Sequence, residues 1–235
     1  MGKPRVLVKF SGEALSGSQG FGIAADALDF FAQEVKSAHA RGIELALVIG
    51  GGNLYRGSVL RQQGLDRVTG DHMGMLATVM NGLALRDAIE RTGVPTRLLS
   101  AIPIDGMVGH YDQRRTMRYL SERDVVIFCA GTGNPFFTTD TAACLRAIEI
   151  KADVMFKATQ VDGIYDRDPN RHPEATKYAR LSYDEVLRKR LAIMDMTAIS
   201  LARDHGLPLR VVRGNTAGFL LSAIDDQSIG THVRA

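Results

Sequence analysis

Two lysines and two glycine-rich loops hold the residue types in this sequence that could do chemistry. Lys9 closes the apolar run Arg5-Val6-Leu7-Val8 and is followed by Phe10-Ser11-Gly12-Glu13, while Lys157 closes Val154-Met155-Phe156. An amine at the end of an apolar strand is either a snorkelling surface lysine or a contact for a phosphate or carboxylate. Gly50-Gly51-Gly52-Asn53 follows Leu45-Ala46-Leu47-Val48-Ile49, and three successive glycines strip every side chain from one strand end. Bare amides there can form an anion nest, with the Arg56 guanidinium nearby for the same anion. The alternative is a tight turn at positive φ, which accounts for one glycine better than for three.

The second loop, Gly131-Thr132-Gly133-Asn134-Pro135-Phe136-Phe137-Thr138-Thr139-Asp140, leads into an alanine-rich helical stretch. Thr139 or Asp140 is the expected helix cap. The remaining hydroxyls and exposed amides suit a nucleotide phosphate, and Phe136 and Phe137 either flank a planar base or belong to the core. Two lysines at neighbouring strand ends, facing two such loops, would neutralise the charge on a phosphoryl group in transfer. That combination points to a kinase. It is not a P-loop kinase, because no G-x-x-x-x-G-K-[ST] occurs, and H-R-D and D-F-G are absent as well. A G-x-G-x-x-G dinucleotide fingerprint, an H-E-x-x-H metal motif and a G-x-S-x-G nucleophile elbow are missing too.

These residues need a scaffold, and the hydrophobic pattern supplies one. Short β-branched runs at 5–9, 43–49, 96–99, 125–129, 154–157 and 209–212 alternate with stretches of helical period near 24–40, 72–91, 113–121, 141–150, 183–190 and 197–205. Such alternation implies right-handed βαβ crossovers. The expected fold is α/β: a three-layer αβα sandwich around a mainly parallel sheet, in one domain over residues 1–235 with two lobes, roughly 1–150 and 151–235. Ligands of such sheets bind outside the carboxyl ends of the strands, where the two glycine-rich loops fall.

Composition agrees with a globular enzyme. Of 235 residues 45% are apolar and 23% charged, and 29 Lys plus Arg against 26 Asp plus Glu leave a net charge of +3 with no basic arm. A nucleic-acid partner is therefore not expected. The longest uncharged run, 125–139, is broken by glycines and a proline, so no membrane partner is expected either. The N-terminus lacks a signal-peptide pattern. Cys129 and Cys144 read as buried free thiols of a reducing, cytoplasmic compartment.

Five segments together resemble the bacterial uridylate kinases of the amino-acid kinase superfamily. They are Lys9-Phe10-Ser11-Gly12-Glu13-Ala14-Leu15, Gly50-Gly51-Gly52-Asn53-Leu54-Tyr55-Arg56-Gly57, Gly70-Asp71-His72-Met73-Gly74-Met75-Leu76-Ala77-Thr78, the loop from Thr132 to Asp140, and Lys157-Ala158-Thr159 with Val161-Asp162-Gly163-Ile164-Tyr165 and Asp168-Pro169. The first two mark only the superfamily, which also phosphorylates carboxylates and carbamate. The third and fourth are specific to the UMP enzymes. The resemblance implies phosphorylation of UMP by ATP with Mg²⁺ in pyrimidine nucleotide synthesis, on an αβα fold assembled as a homohexamer.

By the same resemblance Gly51, Asp71 and Thr132, Gly133, Asn134, Pro135, Phe136, Phe137, Thr138 and Thr139 hold UMP, with Asp71 at the ribose. Lys9, Phe10, Ser11, Gly12, Gly52, Arg56, Thr159, Tyr165 and Asp168 hold ATP, with Tyr165 near adenine and Asp168 near the ribose or metal. Lys9, Arg56 and Lys157 serve the transferring phosphoryl group. Asp140 orients a lysine or organises Mg²⁺, which ATP carries without direct protein ligands, and Asp195 positions Lys9. Gly17-Ser18-Gln19-Gly20-Phe21-Gly22 matches the segment tied to GTP activation, with UTP as inhibitor; the alternative is a flexible glycine loop. Residues 110–118, Gln160 and the segment 213–235 depart from the family pattern. Two rivals are a superfamily kinase for a small acid, which would want an arginine in the 132–139 loop, and a nucleotide-sensing regulator, which would want a basic patch.

Overall fold

The computed structural model describes residues 3–55 and 64–234, so Arg56 lies outside the described residues. A nine-stranded sheet runs through the middle in the order β4-β3-β5-β2-β1-β6-β10-β11-β9. Its strands are β1 (Arg5–Phe10), β2 (Glu44–Ile49), β3 (Thr96–Ser100), β4 (Gly109–His110), β5 (Val125–Cys129), β6 (Val154–Thr159), β9 (Arg180–Ser182), β10 (Leu209–Arg213) and β11 (Thr231–Arg234). Every pairing is parallel except β10 with β11. A small antiparallel ribbon, β7 (Ile164–Tyr165) with β8 (Lys177–Tyr178), stands apart.

Parallel strands buried on both faces read as unbroken apolar runs, and here alternate residues feed two separate cores. Val6, Val8 and Phe10 of β1 pack with α1 (Ala25–Ala40), α2 (Arg67–Arg91) and α7 (Phe219–Asp225) on one face. Leu7, Val48 and Met155 face α3 (Gln113–Ser121), α4 (Thr139–Glu149), α5 (Tyr183–Arg188) and α6 (Met196–Asp204) on the other. Lys9 and Lys157 continue the alternation of Leu7 and Met155, which sends both amines to the α4 face. Cys129 and Cys144 are buried free thiols, each pushed up to about 12 by burial.

The expected strands and helices are all present, with boundaries that shift where side chains cap them. The second long helix begins at Arg67 rather than near residue 72, because Asp66 accepts the Thr69 amide at 2.9 Å. The pattern misses the two-residue strands and the end of the chain. There Glu34 of α1, buried, accepts the Gly218 and Leu220 amides at the start of α7. Buried Arg210 donates to the carbonyls of Ala223, Asp226 and Ile229, which binds the last helix and strand to β10.

Candidate active site

The site sits at the carboxyl ends of β1, β2, β5 and β6. Parallel pairing of β1 with β6 places Lys9 directly beside Lys157, about 4.8 Å apart along the hydrogen-bonding direction. Two adjacent ammonium groups need an anion between them. Asp140, in the first turn of α4, provides it: Oδ1 lies 2.7 Å from the Lys9 amine and Oδ2 2.7 Å from that of Lys157. The three side chains are 10%, 14% and 14% exposed for Lys9, Asp140 and Lys157. Burial pushes the Asp140 carboxyl up, but the two ammonium charges outweigh it and hold it below the ordinary carboxylate value. Burial lowers the Lys157 pKa, Asp140 opposes that shift, and the neighbouring Lys9 charge adds to it. Lys157 also donates to the Ile193 carbonyl.

The start of α4 aims Asp140. Its cap is Thr138, whose hydroxyl accepts the Asp140 and Thr141 amides, not Thr139 or Asp140 as the sequence suggests. Thr139 opens the helix and Asp140 occupies its first turn, where the exposed amides favour a carboxylate. Asp195 caps α6 through the Ala198 amide at 3.0 Å and accepts from Thr138 at 2.5 Å and Thr141 at 2.9 Å. It therefore ties the beginnings of two helices together, and among the described residues Asp140 is the carboxylate paired with Lys9. Any influence of Asp195 on Lys9 runs through α4.

The chain turns at the first loop, where the Gly51 carbonyl accepts the Leu54 amide at 3.1 Å, but none of Gly50, Gly51 or Gly52 takes a positive φ, so the turn does not require glycine. Close approach explains two of them. A Cβ on Gly50 would fall 3.0 Å from the Gly12 nitrogen and one on Gly51 2.9 Å from Ala77 and from the Gly74 oxygen, and one on the facing Gly12 would fall 2.5 Å from the Gly50 carbonyl oxygen. Only Gly52 has room for a side chain, with its nearest neighbour at 3.6 Å. The loop is thus pressed between the Ser11-Gly12 turn and α2, with its amides at the strand ends.

Two clefts flank the lysines. One, about 430 Å³, is lined by Gly51, Gly52, Asp71, Thr78 and residues of the 131–139 loop, including Thr132, Asn134, Phe137, Thr138 and Thr139. Asp71 accepts the Phe136 amide at 2.7 Å and pairs with Arg67 at 2.7 Å. Phe136 is 65% exposed with the Arg67 guanidinium 5.6 Å from its ring centre, so neither phenylalanine is a core residue. Gly133 takes φ 79° in a turn closed by its amide on the Ala130 carbonyl at 2.9 Å, and Pro135 follows outside the cleft lining.

The other cleft, about 510 Å³, brings together Lys157, Thr159, Tyr165, Asp168 and Ile193. The Tyr165 hydroxyl donates to Asp162 at 2.6 Å, a bond that raises its pKa and lowers that of Asp162. Asp168 accepts the Asn170 amide at 2.9 Å in an exposed turn. The Phe10 ring lies in the core, 4.5 Å from that of Phe31, and the residue borders a third cleft of about 320 Å³ with Ser11 and Thr159. Residues 17–22 form a short 3-10 turn (Gly17–Gln19) followed by left-handed Gly20 and Gly22, and they line neither cleft. Sequence reasoning missed Thr78 and the Ile193 carbonyl. A threonine inside a helix and a backbone oxygen carry no signal of residue type.

Comparison with known proteins places the whole chain among relatives in sequence and fold. The model of the amino acid kinase family matches residues 4–213. A uridylate kinase of Alcanivorax borkumensis is 59% identical over 98% of this chain and 92% of its own length, and one of Marinobacter nauticus 61% identical over 97% and 94%. The crystal structure of a UMP kinase from Bacillus anthracis superposes with a TM-score of 0.94 at 36% identity, covering 99% of this chain and 97% of that one.

Proposed function

The chain belongs to the amino acid kinase family, and we propose that it transfers the γ-phosphoryl group of ATP to the phosphate of UMP, giving UDP and ADP. The observation that carries this reading is the Lys9–Asp140–Lys157 cluster between two clefts of nucleotide size. UMP occupies the cleft of Asp71 and the 131–139 loop, and ATP that of Tyr165 and Asp168. The attacking oxygen of UMP is already anionic, so alignment and charge neutralisation carry the reaction without a strong general base. Lys9 and Lys157 meet the equatorial oxygens of the phosphoryl group as it crosses. Asp140 aims both amines and offsets their mutual repulsion when no phosphate lies between them. Asp195 holds Asp140 through Thr138.

Among the described residues no three His, Cys, Asp or Glu side chains gather to hold an ion. Mg²⁺ enters on the phosphates of ATP, where it would neutralise the developing charge. The two lobes form one domain. Residues 17–22 serve GTP activation and UTP inhibits. A buried amide relay supports that link: Asn53 donates to the Gly22 carbonyl at 2.7 Å and exchanges hydrogen bonds with Asn81, which donates to the Gly50 carbonyl at 2.7 Å. Met73, Leu76 and Met80 stand exposed along α2, an apolar stripe that supports assembly into a homohexamer. No helix among the described residues is long and apolar enough to cross a membrane, in keeping with a cytoplasmic enzyme of pyrimidine nucleotide synthesis.

The test is ADP release from ATP and Mg²⁺ with UMP, CMP, dUMP, aspartate, glutamate or carbamate as acceptor, each with and without GTP. Preference for UMP is expected, with GTP raising the rate. Activity confined to a small acid would overturn the assignment of the acceptor cleft.

A further inference from the structure

The acceptor loop contains two residues that are not glycine yet take the left-handed backbone conformation, Ala130 at φ 61° and Phe136 at φ 72°. In that region Cβ crowds the following carbonyl, and such strain persists only where the surroundings impose it. Both residues have their amides held by side chains of one helix. Asp71 accepts from Phe136, and Thr78 Oγ1 accepts from Ala130, each at 2.7 Å. Asp71 and Thr78 are seven residues apart, two turns along the same face of α2.

Thr78 is buried, and its hydroxyl donates in turn to the Met75 carbonyl at 2.6 Å. One donor and one acceptor are both used, so the hydroxyl cannot rotate away without leaving a buried group unpaired. The Ala130 carbonyl meanwhile closes the turn to Gly133. The direction in which the loop leaves β5 is therefore decided at Ala130, before Thr132 or Asn134 can reach the cleft.

We infer that Thr78 is a positioning residue for the acceptor: by holding the Ala130 amide it keeps that residue left-handed and sets the course of the loop that receives UMP. The inference rests on the reading of this cleft as the UMP site. Thr78→Val keeps the shape and removes the acceptor; Thr78→Ser keeps the acceptor; Ala130→Gly removes the strain.

Thr78→Val should raise KM for UMP about tenfold while KM for ATP stays within about twofold, and Thr78→Ser should stay within about threefold of wild type. Adding Ala130→Gly to Thr78→Val should recover a large part of the loss, because glycine takes this φ freely. Amide hydrogen exchange over residues 129–138 should quicken in Thr78→Val and not in Thr78→Ser. An unchanged KM for UMP, an equal rise in both KM values, or no recovery with Ala130→Gly would each overturn the inference, as would unchanged exchange. Should Thr78→Val not fold, Thr78→Ala is read by the same criteria. A wild-type protein inactive with UMP would remove the proposed function, and the exchange data would still decide whether Thr78 holds the loop.

Discussion

The two clefts share one pair of lysines but are built in opposite ways. On the acceptor side the shaping contacts are long-range: Phe136 reaches Asp71 across 65 positions and Ala130 reaches Thr78 across 52. On the side assigned to ATP, Tyr165 reaches Asp162 across three positions and Asp168 reaches Asn170 across two, while the Ile164 amide reaches Thr231 across 67. The acceptor loop is held by a helix on another layer of the fold, whereas Tyr165 and Asp168 are held within their own turns. Acceptor recognition should therefore respond to substitutions far from UMP, and ATP binding chiefly to substitutions within its own turns.

The centre common to both should show the largest effects. Lys9→Ala or Lys157→Ala should lower turnover by about 10²–10⁴-fold with the fold intact by circular dichroism, since each removes a cation from the transferring phosphoryl group. Near-normal turnover in both would break the assignment. Asp140→Asn leaves two buried ammonium groups facing each other, and loss of one member of such a cluster costs about 3–5 kcal/mol, read as a lowered urea midpoint.

The same substitution tests the pH dependence. The folded pKa of Asp140 lies below its ordinary 3.8, so its contribution to stability is fully present above that value and lost as pH falls through the folded pKa. Asp140→Asn should flatten this acid limb of the stability profile. At the other end Lys157 loses its proton below the ordinary 10.5, so the rate should begin to fall at a lower pH than an exposed lysine would give.

Smaller effects separate the two sides. Asp195→Asn weakens the tie between α4 and α6 and should lower kcat by about 10-fold through misplacement of Asp140, with both KM values little changed. Tyr165→Phe removes one local, largely exposed hydrogen bond. It should raise KM for ATP by about two- to threefold and change stability by less than about 1 kcal/mol, with KM for UMP unmoved. An equal response of KM for UMP to Tyr165→Phe would erase the distinction between the clefts.

Much of the site was legible because its residue types are unusual where they stand. A lysine ending an apolar strand, three glycines after another, and threonines with an aspartate opening a helix each depart from what packing alone requires. Their physical reasons were only partly legible. Gly50 and Gly51 are small because Gly12 and α2 press on them, not because a positive φ is needed there. Thr138 rather than its neighbours caps α4, a one-residue difference set by where the loop enters the helix. The closing helix and strand went unread because they are held by Glu34 and Arg210, partners far away in sequence.

By itself the sequence determined the alternation of strands and helices and the identity of the charged groups, since these follow from residue type and local period. Only the tertiary structure decided that Lys9 and Lys157 are neighbours with Asp140 between them, that Thr138 donates to Asp195, and that Thr78 holds Ala130. Each of those depends on strand order and helix placement. Hydrogen bonds to backbone amides and carbonyls complete them, and such groups are the same at nearly every position of any sequence.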